Sequence, residues 1–345
     1  MKNKIAFIAV GQAGGNIGGL LEKRGFDVLY INTSKEDLDI INGNFKYHIS
    51  KGEGCNKNRA KAKQLICEDF DNIYEEIESK IEAELIYIIF ASGGGTGSGS
   101  SPMLAELLLG EGKNVGLITI LPDTNESVKA HINSYECFAE IDDIEGLSSC
   151  FILDNKNKNK ISINGLFVDA FCSFINIPEK HKSIKGNIDK SEIMETLYAS
   201  GASIIVSENT NTNTIIEKFN DNIFAPIEDN KVIKYISISI AGNTKIEHIQ
   251  KKVGIPLDTF KTYNKDKTIC CLSGLSLPST RIKEILKVIN ANKDNITKNL
   301  KSTKIEGMNK KFNFLGELEE DKNKKIKKEE KSSNGKKDIM SKYLK

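Results

Sequence analysis

Two stretches of the sequence gather backbone amides where an anion could be held. GQAGGNIGG (11–19) and GGGTGSG (93–99) each follow a run of apolar residues and precede a helical pattern. The ten residues ASGGGTGSGS (91–100) contain five glycines. Glycine loses more conformational freedom on folding than any other residue, so such a density implies that the backbone must come very close to something. A phosphate group fits that requirement. Glycine lets N–H groups reach its oxygens, and the helix that follows presents free amides and a positive dipole end. Thr96 and Ser98 would add hydroxyl donors. Two such loops imply a ligand with several phosphates. Neither is a P-loop, because GxxxxGK[ST] is absent and no lysine stands among the glycines. The first lacks the dinucleotide fingerprint GxGxxG, and no acid follows the second at the ribose position, so a dinucleotide oxidoreductase has little support. Far downstream, GNIDKSEIMETL (186–197) carries Asn187, Asp189 and Glu192 in the pattern N-x-D-x-x-E. Those acids could act on water, or Asp189 and Glu192 could form a capping box where a helix begins.

The elements that would position these groups are legible as apolar runs. KIAFIAV (4–10), DVLYIN (27–32), ELIYIIF (84–90), NVGLITILP (114–122) and CFILDN (150–155) read as buried strands. Helical patterns lie between them, at about 11–25, 57–83 and 127–145. Near-continuous apolar strands alternating with helices indicate an α/β fold with a Rossmann-like parallel sheet covered on both faces, over residues 1–163. In such a sheet a ligand binds beyond the carboxyl ends of the strands, where both glycine loops fall. NGLFVDAFCSFIN (164–176) reads as a mostly buried helix, the core of a connecting segment 164–182. SIIVS (203–207), YISISIAG (235–242) and TICCLSGLSL (268–277) suggest the strands of a second, smaller sheet in an α+β domain over 183–292, closed by the amphipathic helix STRIKEILKVI (279–289). Residues 293–345 read as an extension and a disordered Lys-rich tail.

Composition excludes several classes. The chain has 345 residues and a net charge of +2, but residues 301–345 hold 14 lysines against 8 acids. The tail is therefore net +6 and the body −4, which speaks against a nucleic-acid groove on the body. No apolar run approaches the roughly 20 residues of a membrane span. The start reads as a strand entering a glycine loop rather than as a cleaved signal. Seven scattered cysteines without CxxC argue against a disulfide framework or a zinc site and point to a reducing cytoplasm.

GGGTGSG is similar to the signature of the tubulin/FtsZ superfamily, and the chain resembles that superfamily along nearly all of its first 290 residues. GQAGGNIG is similar to the first phosphate loop of tubulins, NTSKEDL from Asn32 to the second loop of FtsZ, and GEGCNKNRAKA (52–62) to the third. The resemblance implies a GTPase with GTP or GDP and Mg2+ as ligands. It places Gly11, Gln12, Gly14, Gly15 and Asn16 on the β-phosphate side. The metal would be held through phosphates, with Gln12 the nearest side chain. It implies that Asn32, Gly54 and Asn56 belong to the flanking loops, and that Gly93, Gly94, Gly95, Thr96, Gly97, Ser98 and Gly99 cradle the α- and β-phosphates. Glu126 would meet the ribose, Asn155 the guanine edge, and Phe171 would stack on the base. Ile175 stands where the family often has Asn, so Asn176 is expected to take the remaining base contact.

The same resemblance implies that Asn187, Asp189 and Glu192 act on the nucleotide of a neighbouring subunit, in a head-to-tail filament whose assembly activates hydrolysis. The ribose loop lacks the Thr-Lys-Pro of division FtsZ, the chain lacks an acidic-hydrophobic terminal peptide, and it ends basic where tubulin ends acidic. These features resemble the branch of the family that segregates plasmid or phage DNA through a DNA-binding adaptor engaged by the C-terminal region. The body itself would make little or no contact with DNA and none with membrane. A divergent cell-division GTPase and a scaffold filament that does not cycle are the alternatives.

Overall fold

A computed structural model describes residues 1–302, apart from 157 and 209–211, together with 335–344; side chains are described except those of 212–214 and 294–302. The chain runs through β1 (Ile5–Val10), α1 (Gly11–Glu22), β2 (Val28–Asn32), α2 (Lys35–Ile40), β3 (Phe45–His48), α3 (Arg59–Lys80), β4 (Leu85–Ala91) and α4 (Thr96–Gly110). It continues with β5 (Val115–Leu121), α5 (Val128–Asp142), β6 (Ser149–Asp154), α6 (Lys160–Ile175), α7 (Ile177–Lys180) and α8 (Lys190–Tyr198). The last part comprises β7 (Gly201–Glu208), α9 (Thr212–Asn220), β8 (Val232–Ile240), α10 (Ile246–Val253), β9 (Ile255–Tyr263), β10 (Thr268–Leu275), α11 (Ser279–Ser302) and α12 (Gly335–Tyr343).

The sheet has ten strands in the order β3-β2-β1-β4-β5-β6-β7-β10-β8-β9. From β3 to β7 every neighbour is parallel. β1, β2, β5 and β6 are buried along their whole length, the pattern of strands covered on both faces. α1 and α6 pack together, and α3, α4, α5 and α11 form a connected row. Right-handed crossovers explain the two layers. α1 leads from β1 to β2 on one side, while α4 leads from β4 to β5 on the other. β1 and β4 are neighbours, so the strand order reverses between them. That reversal opens a crevice at their carboxyl ends, where a doubly wound sheet binds ligands.

One expectation is corrected here. The later strands do not form a separate sheet: β7 pairs with β6 through Ser149↔Gly201, Cys150↔Ala202 and Phe151↔Ser203, and the sheet continues. β10 is antiparallel to both β7 and β8. β3 and β9, absent from the sequence reading, are the two edges, and β9 carries Pro256 and exposed residues as edges often do. The C-terminal region is also corrected in part. α11 continues to Ser302, and α12 lies on α4 with Tyr343 only 6% exposed. The rest of the expected tail, 303–334 and 345, lies outside the described residues.

Candidate functional site

The two glycine loops open the two helices that flank the crevice. α1 and α4 begin with no side-chain cap, at Val10 and Gly95. By contrast α2, α3, α5, α6 and α8 are capped by Ser34, Asn58, Ser127, Asn159 and Asp189. The amides of the first helical turn have no partner within their own helix. In α1 and α4 they are left to a ligand, and their dipoles favour an anion. Gly11 adopts φ +71°, and a Cβ there would stand 3.6 Å from the Gly97 amide nitrogen, in the space the two loops enclose.

Two adjoining cavities fill this region. One, of about 310 Å³, is lined by Gln12, Asn16, Gly93, Gly94, Pro122, Glu126, Asn155, Lys160 and Asn164 among others. The second, of about 420 Å³, is lined by residues including Gly11, Gln12, Asn32, Gly54, Asn56 and Gly94 to Gly97. Gln12, Lys57 and Gly94 belong to both. Together they form an elongated cleft with amide-rich walls at one end and the polar Asn155 and Asn164 at the other, shaped for a nucleotide with a phosphate chain. Among the described residues no group of three or more His, Cys, Asp or Glu could hold a metal.

The cleft is braced from behind. Asn133 on α5 donates from Nδ2 to the carbonyls of Gly94 at 2.8 Å and Lys57 at 3.0 Å, tying the glycine loop to the loop before α3. Arg59, 7% exposed, donates to the Ser98 carbonyl at 3.2 Å and to Glu136 at 2.9 Å, and also pairs with Glu140. Thr96 and Thr33 share a hydrogen bond of 2.7 Å between their hydroxyls. Asn32 is buried, its Oδ1 accepting from the Ser34 amide and its Nδ2 donating to Asp37. At the other end Lys160 pairs with Glu126 at 2.8 Å.

A second brace comes from the far end of the chain. Arg281, in the first turn of α11 and 1% exposed, donates through Nε to Asp154 at 2.9 Å and through Nη2 to the Pro122 carbonyl at 2.8 Å. Asp154 precedes Asn155, and Pro122 lies four residues before Glu126, so α11 holds the strand ends that carry the Glu126 and Asn155 end of the cleft. Arg59, Asn133, Asn164, Lys160 and Arg281 were not singled out from the sequence. Only Arg59 had a local signal, as the first helical residue after the loop; the others reach the site from remote elements.

Several expected residues stand elsewhere. Phe171 is fully buried, its ring edge-on to Phe7, Tyr87 and Phe151 at 5.8, 5.9 and 5.9 Å, so it cannot stack on a base in the cleft. Asn176 is the C-cap of α6, whereas the cleft meets α6 at Lys160 and Asn164, in its first turns. Asn164, seven residues before Phe171, lines the cleft where neither of these two does. Gly14 does not line the cleft: a Cβ there would lie 2.3 Å from the Ile89 carbonyl. Gly15 packs against Ile41 in the same way, so both let α1 lie close to its surroundings. The Ser98 hydroxyl donates back to the Gly94 carbonyl, and Gly99 packs on Arg59, so these two shape the loop rather than face the ligand.

Asn187, Asp189 and Glu192 lie beyond the carboxyl end of α6, away from the cleft at its amino end. Sixteen helical residues separate the two ends, about 24 Å at 1.5 Å per residue. The capping box is present: Asp189 Oδ1 accepts from the amides of Ser191 and Glu192, and Glu192 Oε2 accepts from the Asp189 amide at 2.8 Å. The Ser191 hydroxyl and these amides hold the Asp189 carboxyl below its ordinary range. Each acid keeps one oxygen outside the box, and Asn187 and Asp189 are exposed.

The profile of the Tubulin/FtsZ family, GTPase domain, matches residues 4–162, which contain both glycine loops. The Tubulin-like protein TubZ of Clostridium botulinum C phage is 32% identical over 302 residues, 84% of this chain and 84% of that protein. The crystal structure of Clostridium botulinum phage c-st TubZ superposes with a TM-score of 0.78 at 29% identity, covering 86% of this chain and 100% of that one. A GTPγS-form protofilament of Bacillus thuringiensis serovar israelensis TubZ shares the fold, with a TM-score of 0.76 at 14% identity over 87% and 94% of the two chains. With a relative this similar over most of its length, and a cleft built from the matched loops, the chain belongs to the tubulin/FtsZ family.

Proposed function

We propose that this protein is a filament-forming GTPase whose catalytic site is completed only between subunits. The observation that carries this reading is the separation of the amide-lined cleft at one end of α6 from the exposed Asp189 and half-buried Glu192 beyond its other end. A head-to-tail contact would bring Asp189 and Glu192 of one subunit to the cleft of the next, and such a contact repeats without closing. The relatives support it, since TubZ of Bacillus thuringiensis is described as a protofilament and as a two-stranded filament.

The guanine base would lie against Asn155 and Asn164, the ribose against Glu126, and the phosphates on the amides of 94–97. Mg2+ bound to the phosphates would offset their charge, with Gln12 the nearest side chain. Phosphoryl transfer needs a positioned water and compensated charge more than covalent chemistry. Glu192 of the neighbour would orient that water and take its proton, with Asp189, kept ionised by its hydrogen bonds, assisting. Hydrolysis then waits for assembly and alters the interface that the nucleotide helped to form. The likeness to phage TubZ supports a role in moving plasmid or phage DNA, with a DNA-binding adaptor linking filament to cargo.

The test is GTP turnover against protein concentration. Turnover per molecule should rise steeply as subunits assemble; a value that stays constant from dilute to concentrated protein refutes the split site.

A further inference from the structure

The polyphosphate in this reading brings several negative charges into a cleft that offers few cations. Two are present among the residues lining its cavities, Lys57 and Lys160. Lys160 is already paired with Glu126 at 2.8 Å. Lys57 has no carboxylate within ion-pair distance among the described residues; its ammonium donates to the Ser127 hydroxyl at 2.9 Å. Asp37 adds a negative charge to the wall of the phosphate-side cavity.

The backbone around Lys57 is built to a demanding specification. Asn56 and Lys57 both adopt left-handed conformations, φ 45° and 57°, which non-glycine residues seldom do. Strain of this kind persists where surrounding structure enforces it, and it clusters at ligand sites. Here the enforcement is visible. The Lys57 carbonyl is held by Asn133, and a Cβ on Gly95 would lie 2.8 Å from both the nitrogen and Cα of Lys57. The residue is thus pressed against the glycine loop, and its side chain runs along the cleft to the amino end of α5. It lines the cavity on the phosphate side and the cavity on the base side alike.

We propose that Lys57 is a phosphate-binding residue of this site: its ammonium leaves the Ser127 hydroxyl and ion-pairs with the phosphate chain of the nucleotide. This rests on the nucleotide-binding reading above. The exchange is favourable because a hydroxyl is a weak neutral acceptor, whereas a phosphate oxygen is charged and makes the stronger hydrogen bond. No lysine stands among the glycines; the cation comes from the neighbouring loop instead.

The experiment is equilibrium dialysis of labelled GTPγS and GDP against dilute native protein and the variants K57M, K57R and K57G. K57M keeps the length of the side chain without its charge, and K57G relaxes the left-handed backbone while also removing the charge. Loss of a charged hydrogen bond should weaken both nucleotides by roughly 10- to 100-fold in K57M and K57G, and the loss should shrink as salt is raised. K57R, which keeps the charge, should hold most of the native affinity. Native-like binding by K57M and K57G overturns the assignment, and so does a K57R that fails as badly as K57M, since shape rather than charge would then matter. If the native protein binds neither nucleotide, the functional reading falls and the assignment with it. That outcome is distinct from native binding that K57M leaves untouched.

Discussion

The Arg281–Asp154 pair gives the sharpest test of how the cleft is held. Both side chains are almost out of water, 1% and 5% exposed. Arg281 satisfies Nε and Nη2 with Asp154 and the Pro122 carbonyl, while Nη1 makes no hydrogen bond and lies 3.6 Å from Glu284, whose side chain is 40% exposed. Replacing Asp154 by Asn keeps the volume but leaves a buried guanidinium facing only that half-solvated acid. Breaking one side of a buried pair typically costs about 3 to 5 kcal/mol. For a chain of 345 residues that corresponds to a Tm lower by roughly 4 to 7 °C. Arg281→Met should cost less, because Asp154 Oδ1 still accepts from the Lys156 amide at 3.0 Å. The double variant should be more stable than the two separate losses add up to, with a coupling of about 1 to 3 kcal/mol. Urea and thermal unfolding of the four proteins measure this cycle. An Asp154→Asn loss below about 1 kcal/mol would mean that the guanidinium is solvated and that α11 does not brace the strand ends.

Further tests address the split site, the C-terminal helix and acid stability. Glu192→Ala and Gly94→Val should each abolish turnover alone, since one removes the proposed water-orienting acid and the other crowds the phosphate cradle. Mixed in equal amounts, they should recover a substantial fraction, on the order of a quarter if subunits stack at random, because one in four contacts then pairs an intact cleft with an intact acid. No recovery in a mixture that still assembles refutes catalysis across the interface. Tyr343 donates to Glu106 at 2.9 Å and sits under Lys63 at 5.3 Å, so Tyr343→Ala should release α12. Losing one buried aromatic, about 2 kcal/mol, raises the opened fraction roughly 30-fold, which amide hydrogen exchange across 335–344 would read; unchanged exchange refutes the docking. His181 is held below its ordinary pKa, first by burial and then by the lysines 180 and 267, against the pull of Asp266. A lowered pKa means that the unfolded chain binds the proton more readily, so stability present above about pH 6.5 is lost as pH falls through that value. His181→Gln should flatten this part of the Tm profile between pH 5 and 7, and an unchanged profile refutes the assignment.

How much of this was legible in the sequence follows from where each feature gets its energy. β1, β2, β5 and β6 are read within a residue or two because burial on both faces demands unbroken apolar runs, and the glycine loops are read because no other residue tolerates such close approach. β3 and β9 escape because edge strands are half-exposed and carry Lys, Asp and Pro, which blur the alternation. The continuity of the sheet escapes because three residue pairs make it, and three pairs leave no mark on composition. α12 escapes for a different reason: Glu106, Lys63 and Asp71 hold it, and all belong to helices far away in the chain.

The base-side error is the most instructive. α6 carries Phe167, Phe171 and Phe174 at helical spacing, and a helix with several aromatics one turn apart can be matched to a binding motif in more than one register. Packing decides between the registers. All three rings are fully buried, so the face they mark is the one turned to the sheet, and a ligand must use residues nearer the amino end, where Asn159 caps the helix and Lys160 and Asn164 reach the cleft. Lys57 was hidden by the opposite effect. A lone lysine in a polar loop carries no periodicity at all, and only the left-handed backbone and the contact with Gly95 show that it is aimed. Replacing Asn164 by Ala separates these readings. If Asn164 contacts the base, discrimination between GTP and ITP, which lacks the exocyclic amine, should fall by roughly 10-fold, the loss of one hydrogen-bonded contact of about 1.4 kcal/mol, while Phe171→Leu should change stability and leave discrimination alone. The reverse pattern, with Phe171→Leu relaxing the preference, would restore the aromatic to the site and displace the cleft built here.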